Sequence, residues 1–378
     1  MRLLWLGKSR RASRQPTSNE IYHTEITADV PVPERNESVR FFSRKVIRPG
    51  KLRRFTNRDL RESLLSCFYL GVAAMLPVSW WEPICGWVSR LRRKRHLRKE
   101  FARYDVAVRA VLGNAVDTRA MFDAQLAAIH RRRLTLAAHL VAGWRWSPAI
   151  RLEGLEALQQ ALRNGRGVIV WCDQFTAQTI MGKRALHEAG VDTHQVSARY
   201  HGFTPSQFGF RVINPPLVKV ENRFLKSRIV FERTDAYQVT TRVQKALKAN
   251  GVVLMTNTIY AGSAFAEAAM GERGWTHLAS APANFAARAG AALFHMATIE
   301  TVPFRQYRAI VGELSARPEA PAKDTAGKNL VVQAGFILSK RDHMLETLKL
   351  CPEQMMAWSS AVRLTERPTE AAIGNEGA

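Results

Sequence analysis

LEGLEALQQALRNGRGVIVWCDQFTAQT, residues 152–179, carries the pattern on which the fold turns. Leucine and alanine recur at the helical three- and four-residue spacing through LEGLEALQQALRNG, and the pattern stops at Gly165 and Gly167. Val168 to Trp171 then run without a polar residue, as expected of a strand covered on both faces. The reading is helix, turn, buried strand. The same texture returns downstream: a helix from about Thr179 to Ala189, a strand over Thr193 to Ala198, and a helix over Val239 to Lys248 closed by Asn250-Gly251. A strand over Val252 to Thr256, a helix over Pro282 to Ala289 and a strand over Ala292 to Glu300 complete it. Alternation of this kind predicts an α/β fold with a single mixed, mostly parallel sheet flanked by helices. Ligands of such sheets sit beyond the carboxyl ends of the strands, which points to Cys172–Thr179 and Thr256–Ser263.

Upstream, Tyr104 to His139 alternates apolar and charged residues at helical spacing, predicting amphipathic helices. Further towards the amino end, Ser63 to Trp81 holds nineteen residues without a charge, close to the length that crosses a bilayer. Pro77 interrupts it, Trp80, Trp81 and Trp87 cluster at one end, and basic residues flank both sides. Arg53, Arg54, Arg58 and Arg61 precede it; Arg90, Arg92, Arg93, Lys94, Arg95, Arg98 and Lys99 follow. The expectation is a helix or broken helix lying in a membrane interface, its basic flanks on anionic headgroups, with a buried core helix as the alternative.

The chain has 378 residues and a formal charge of +24, from 56 Lys+Arg against 32 Asp+Glu. Nucleic acid, an anionic membrane surface and an acidic protein are the partners such an excess suits, and no nucleic-acid motif accompanies it. Cys67, Cys85, Cys172 and Cys351 lie far apart, so neither a disulfide framework nor a zinc site is encoded. No G-x-x-x-x-G-K, G-x-G-x-x-G or H-E-x-x-H occurs, and no cofactor or metal is expected. Residues 1–58, with fourteen Lys/Arg and five Asp/Glu, read as a disordered basic arm. The organisation expected is that arm, a membrane-associated helix and basic cluster over 59–103, an α/β domain over 104–365 and a polar tail over 366–378.

The order of these blocks resembles the bacterial lauroyl/myristoyl acyltransferases of lipid A assembly and their lysophospholipid-acyltransferase-like relatives. The resemblance runs through Leu152–Glu156, Gly165–Val170, Gly251–Leu254, Met270-Gly271, Pro282–Ala291, and Pro352-Glu353 with Trp358, over about residues 60 to 365. It implies a protein on the cytoplasmic face of the inner membrane that moves a fatty acyl chain from acyl carrier protein or acyl-CoA to a hydroxyl of a lipid or glycolipid acceptor. The family carries His-x-x-x-x-Glu or His-x-x-x-x-Asp after the first strand, where the imidazole takes the acceptor proton and the carboxylate orients the ring. Here Gln174 stands at the His position and Thr179 at the Glu position, with Phe175 matching the aromatic that follows the His. Asn257-Thr258 replaces a further Asp-Gln pair.

A carboxamide at Gln174 donates hydrogen bonds but takes no proton near neutral pH. Asp173 is an alternative base, although an adjacent residue on a strand exit points elsewhere. Cys172 is a conceivable acyl-accepting thiol, against the usual inertness of a cysteine on a buried strand. His201, in Arg199-Tyr200-His201-Gly202-Phe203, is the best replacement base. Arg199, Arg223 and Arg228 fall where relatives hold phosphate or headgroups, and with Phe175 and Asn257 they form the expected substrate contacts. The rival expectation is a catalytically silent homologue that binds lipid or acyl carrier protein and regulates or scaffolds another enzyme.

Overall fold

The structure, a computed structural model, describes residues 21–48, 52–96, 98–199, 201–231, 236–257, 264–315, 325–356, 358 and 362–364. In chain order the strands are β1 (Ile21–Val32), β2 (Glu37–Arg48), β3 (Ala149–Glu153), β4 (Val168–Cys172), β5 (Thr193–Ala198), β6 (Ser227–Phe231), β7 (Val252–Thr256), β8 (Ala264–Met270), β9 (Gly274–Ala279), β10 (Ala292–Val302), β11 (Gln306–Glu313) and β12 (Val362–Leu364). The helices are α1 (Asn57–Met75), α2 (Trp81–His96), α3 (Arg98–Leu112), α4 (Thr118–Val141), α5 (Leu155–Arg163), α6 (Lys183–Glu188), α7 (Pro215–Asn222), α8 (Ala236–Lys248), α9 (Ala281–Ala289) and α10 (Thr325–Leu350).

Seven strands form the main sheet in the order β3-β11-β10-β4-β7-β5-β6. Its pairings are parallel except for the β10–β11 hairpin, so it is the mixed, mostly parallel sheet expected. β4 lies at its centre and all five of its residues are buried. Val168, Val170 and Cys172 pack with Leu158 of α5 and Leu186 of α6. Ile169 and Trp171 point the other way, into a core shared with Val243 of α8, Ala283 of α9 and Ile337 of α10. That alternation is the two-residue period of a strand, and it decides where the next side chain goes. Gly154, at φ +82, ends β3 within Leu152–Glu156; a Cβ there would stand 1.9 Å from the Val311 carbonyl oxygen. The helix period read from Leu152 therefore begins only at Leu155.

Three expectations are corrected. The main sheet is not alone: β1-β2-β8-β9-β12 forms a second, wholly antiparallel sheet. Its inner residues Val39, Phe41, Ala266, Ala268 and Leu278 join the core beside α3 and α10. Residues 21–48, assigned to a disordered arm, are the paired strands β1 and β2; residues 1–20 and the expected tail over 366–378 lie outside the described residues. The charged residues that suggested disorder lie on a hairpin that pairs with β8 and buries Val30, Val39 and Phe41. The apolar run of residues 63–81 is broken at Pro77 into α1 and α2, and among the described residues no helix is long and apolar enough to cross a membrane.

Polar residues dock α1 onto α4. Thr56 and Asp59 form a capping box, and Asp59 Oδ1 accepts from Ser206 Oγ at 2.6 Å. Arg133 of α4 holds the buried Glu62 through both carboxylate oxygens, and Tyr69 Oη lies 2.8 Å from His130 Nδ1. Further along, α1 buries Tyr69, Val72 and Ala73 against α4, while Leu60, Leu64, Phe68 and Met75 are exposed on its other side, followed by Trp80, Trp87 and Leu91.

Burial pushes His139, near the end of α4, down to about 4. Its Nδ1 donates to the Thr135 carbonyl at 2.9 Å, its ring meets Trp146 and Phe224, and Arg184, Arg223 and Glu188 lie near it. The unfolded chain binds a proton here at the ordinary 6.5, so between pH 6.5 and 4 it takes up protons that the native state refuses. Stability from this residue is complete above pH 6.5 and falls by up to about 3 kcal/mol as pH drops to 4. Urea unfolding as a function of pH should show that loss, and His139→Gln should flatten it.

Candidate functional site

The loop leaving β4 is held on every side. Asp173 continues the alternation of β4 and enters the core facing α10, where its Oδ1 lies 2.7 Å from Lys340 Nζ; both side chains are buried. Lys340 also donates to the Trp171 carbonyl at 2.9 Å. Burial raises the Asp173 carboxyl, opposed by the Lys340 charge. Gln174 Nε2 donates to the Asn257 carbonyl at 3.0 Å, while the Gln174 carbonyl accepts from Met356 N at 2.9 Å. Phe175 is buried and bridges to Met355, and Thr176 N donates to the Gln354 carbonyl at 2.9 Å. Residues 174–176 thus pair with 354–356, the segment following Pro352-Glu353. Trp358 Nε1 locks that segment by donating to the Pro352 carbonyl at 2.8 Å.

Asn257 belongs to the same scaffold. Its N–H donates to the Cys172 carbonyl at 3.0 Å and its Oδ1 accepts from Ala279 N at 3.3 Å. Asp173, Gln174, Phe175 and Asn257 line one small recess with Met344 and Met355. Thr179 lies in a different one, with Arg131, Arg132, Thr176, Glu300 and Tyr307. The two positions matched to the family's base and acid therefore open on separate recesses. Cys172 is corrected as a nucleophile: burial pushes its thiol up to about 12, where little thiolate exists. Thr258 lies outside the described residues.

His201 follows β5 at the carboxyl edge of the sheet. Its Nε2 stands 2.9 Å from Oε1 of Glu221, a fully buried carboxylate on α7. Lys183 Nζ approaches the same oxygen at 3.0 Å, and Arg228 Nη2 the other at 2.5 Å. Burial alone would raise the Glu221 carboxyl; Lys183, His201 and Arg228 hold it far below the ordinary carboxylate range. A carboxylate only accepts, so Nε2 carries the proton and Nδ1 keeps the lone pair. Nδ1 makes no hydrogen bond among the described residues, and a third of the side chain is exposed.

The expected headgroup arginines divide. Arg228 is an internal strut, bonded to Glu221, Asn222 and Ser197. Arg223 caps α4 by donating to the His139 carbonyl at 2.9 Å. Arg199 remains exposed, its guanidinium 5.9 Å from the Phe210 ring centroid. Sequence reasoning missed Lys340, Glu221, Lys183, Arg131 and Glu300. A signal existed for two of them. Lys340 sits on the buried stripe of α10 between Ile337 and Met344, and Glu221 is the one acid between Arg199 and Phe231. Among the described residues, no three His, Cys, Asp or Glu side chains are grouped to hold a metal ion.

Two outcomes follow. Lys340→Met should cost about 3–5 kcal/mol in urea unfolding by stranding the Asp173 carboxylate, while Asp173→Leu with Lys340→Met should recover most of it. Gln174→His with Thr179→Glu should give no acyl transfer beyond the native level, and histidine NMR titration should show no carboxylate-raised pKa for the new imidazole. Neither the models of known protein families nor the sequences of curated proteins give a match to this chain, so a functional reading rests on geometry and chemistry.

Proposed function

We propose that this protein is an acyltransferase of the lipid A type, working at the cytoplasmic face of the inner membrane. It transfers a fatty acyl chain from acyl carrier protein or acyl-CoA to a hydroxyl of a lipid or glycolipid acceptor, with the proton-transfer role moved from the β4 loop to His201. The observation that carries the reading is the His201–Glu221 pair: an imidazole held by a buried carboxylate, with its second nitrogen open, at the carboxyl edge of a mostly parallel sheet. Nδ1 of His201 takes the acceptor proton while the oxygen attacks the thioester carbonyl. A C–O bond forms, the C–S bond breaks, and the thiolate recovers the proton from the imidazolium.

Placement at a lipid surface is supported by the exposed apolar side chains of α1 and the segment after it. Leu64 is 64% exposed, Met75 76% and Trp80 61%, and Arg53, Arg54 and Arg61 stand nearby in sequence. Apolar side chains that the protein leaves in water, bordered by cations, suit the boundary between acyl chains and anionic headgroups. The same charge suits an acidic carrier protein.

A second reading, a silent homologue that binds lipid or carrier protein and scaffolds another enzyme, is favoured by the β4 loop. Gln174 takes no proton, and Lys340 occupies Asp173. Acyl transfer from radiolabelled acyl carrier thioesters into a lipid extract separates the two. The proposal expects turnover by the native protein and a fall of about 100-fold or more in kcat/KM for His201→Gln, with unfolding midpoint unchanged. Absence of native turnover with saturable acyl or carrier binding would leave the second reading standing.

A further inference from the structure

The chain that leaves His201 is locked from Phe203 to Asn214. Asn214 Oδ1 accepts from Phe203 N at 2.9 Å and from Thr204 N at 3.2 Å, and its Nδ2 donates to the Thr204 carbonyl at 2.8 Å. Ser206 Oγ donates to Asp59 of α1 and accepts from Gly209 N at 2.8 Å. Gly209 opens a π-helical turn, Gly209–Ile213, and a Cβ at its position would stand 1.6 Å from Thr204 Oγ1. Turns of this kind are rare and concentrate at functional sites.

Gly209 and Ile213 are buried, so the three residues between them project from a fixed frame. They are Phe210, Arg211 and Val212, all exposed, Phe210 to 37% and Val212 to 53%. The turn is strapped to the approach to α1. Gln207 N donates to the Arg53 carbonyl at 2.9 Å and Phe208 N to the Arg54 carbonyl at 3.1 Å, and the Phe55 ring, itself 52% exposed, meets Phe208 edge-on at 5.2 Å. Two bonded elements therefore both hold apolar side chains in water: Phe210 and Val212 on the turn, Phe55, Leu60 and Leu64 at the start of α1. Arg53, Arg54, Arg199 and Arg211 are exposed on the same segments, whereas the acids bonded to them, Asp59 and Glu221, are buried. The charge this unit shows to solvent is positive.

We infer that residues 210–212 are a second lipid contact, joined to α1, which sets the mouth of the His201 site against an anionic membrane surface. The inference rests on the membrane reading above and adds the route of entry. The Phe210 ring lies 5.9 Å from the guanidinium of Arg199, two residues before His201. An amphiphile with its chains against Phe210 and Val212 thus brings its hydroxyl to the open Nδ1 from the membrane side. Apolar tips bordered by cations suit that surface, and a turn already held by hydrogen bonds loses little freedom on inserting.

The test uses the full chain and phosphatidylcholine vesicles carrying phosphatidylglycerol, with binding read by co-sedimentation. The native protein should bind saturably. Phe210→Ser with Val212→Ser, which removes apolar surface and leaves every charge in place, should weaken binding about tenfold or more at an unchanged unfolding midpoint. Leu64→Ser with Met75→Ser should weaken it through α1. Ile26→Ser, at a comparably exposed residue of β1 in the second sheet, should leave it unchanged. Native affinity in the turn variant, with binding lost in the α1 variant, would overturn the second contact while the membrane reading stands. An equal loss in Ile26→Ser would overturn it as well. Absence of vesicle binding by the native protein would retire the membrane reading and the turn with it. Vesicle binding that is lost in the turn variant, without acyl transfer by the native protein, would retire the His201 chemistry and support the contact.

Discussion

The buried pair of Asp173 and Lys340 governs the carboxyl end of the central strand. Once Trp171 faces α10, the strand period sends Asp173 the same way, and a carboxylate at that depth requires a cation. Lys340 supplies it and also satisfies the Trp171 carbonyl, so one side chain fixes the body of α10 against the exit of β4. The direction of Gln174 follows from this. It turns to the Asn257 carbonyl, and the loop beyond it closes against residues 354–356.

The same rule recurs at three other buried acids. Glu62 has Arg133, Glu300 has Arg131, and Glu221 has Lys183, Arg228 and His201. Part of the basic excess is therefore internal bracing, since each of these carboxylates draws in at least one cation. Arg223 and Arg228 show why counting charges in sequence overstates the surface available to a ligand: both are spent on the protein's own oxygens. Arg131 differs because its carboxylate uses only one edge of its fork.

What the sequence made legible follows from periodicity. β4, β5 and β7 were readable because covered strands are continuous apolar runs or clean alternations ended by glycine or polar residues, and β5 and β7 begin and end where the pattern does. β1 and β2 were not, because a hairpin with one wet face carries as many charges as a disordered arm. What separates the two is pairing with β8, more than 200 residues away in sequence, and no local pattern records it. At the site, His201 was legible as a residue and its partner was not. The resemblance offered it as a replacement base, whereas the structure ties it to α7, and the loss of ionisable groups at Gln174 and Thr179 was visible without its cause.

That cause is in the packing of the loop. Phe175 is buried, the Gln174 carboxamide reaches a backbone carbonyl, and the Asn257 carboxamide serves a backbone N–H on one side and the Met344 sulfur on the other. Carboxamides suit these places because each presents a donor and an acceptor with no charge to desolvate. An imidazole at 174 or a carboxylate at 257 would set a second titratable group beside Asp173, whose one cation is already committed. At 179 the neighbours differ: Arg131, Arg132, Glu300 and Tyr307 line the recess with it. The neutral carboxamides that remove a base from the first recess thus leave a closed structural joint there.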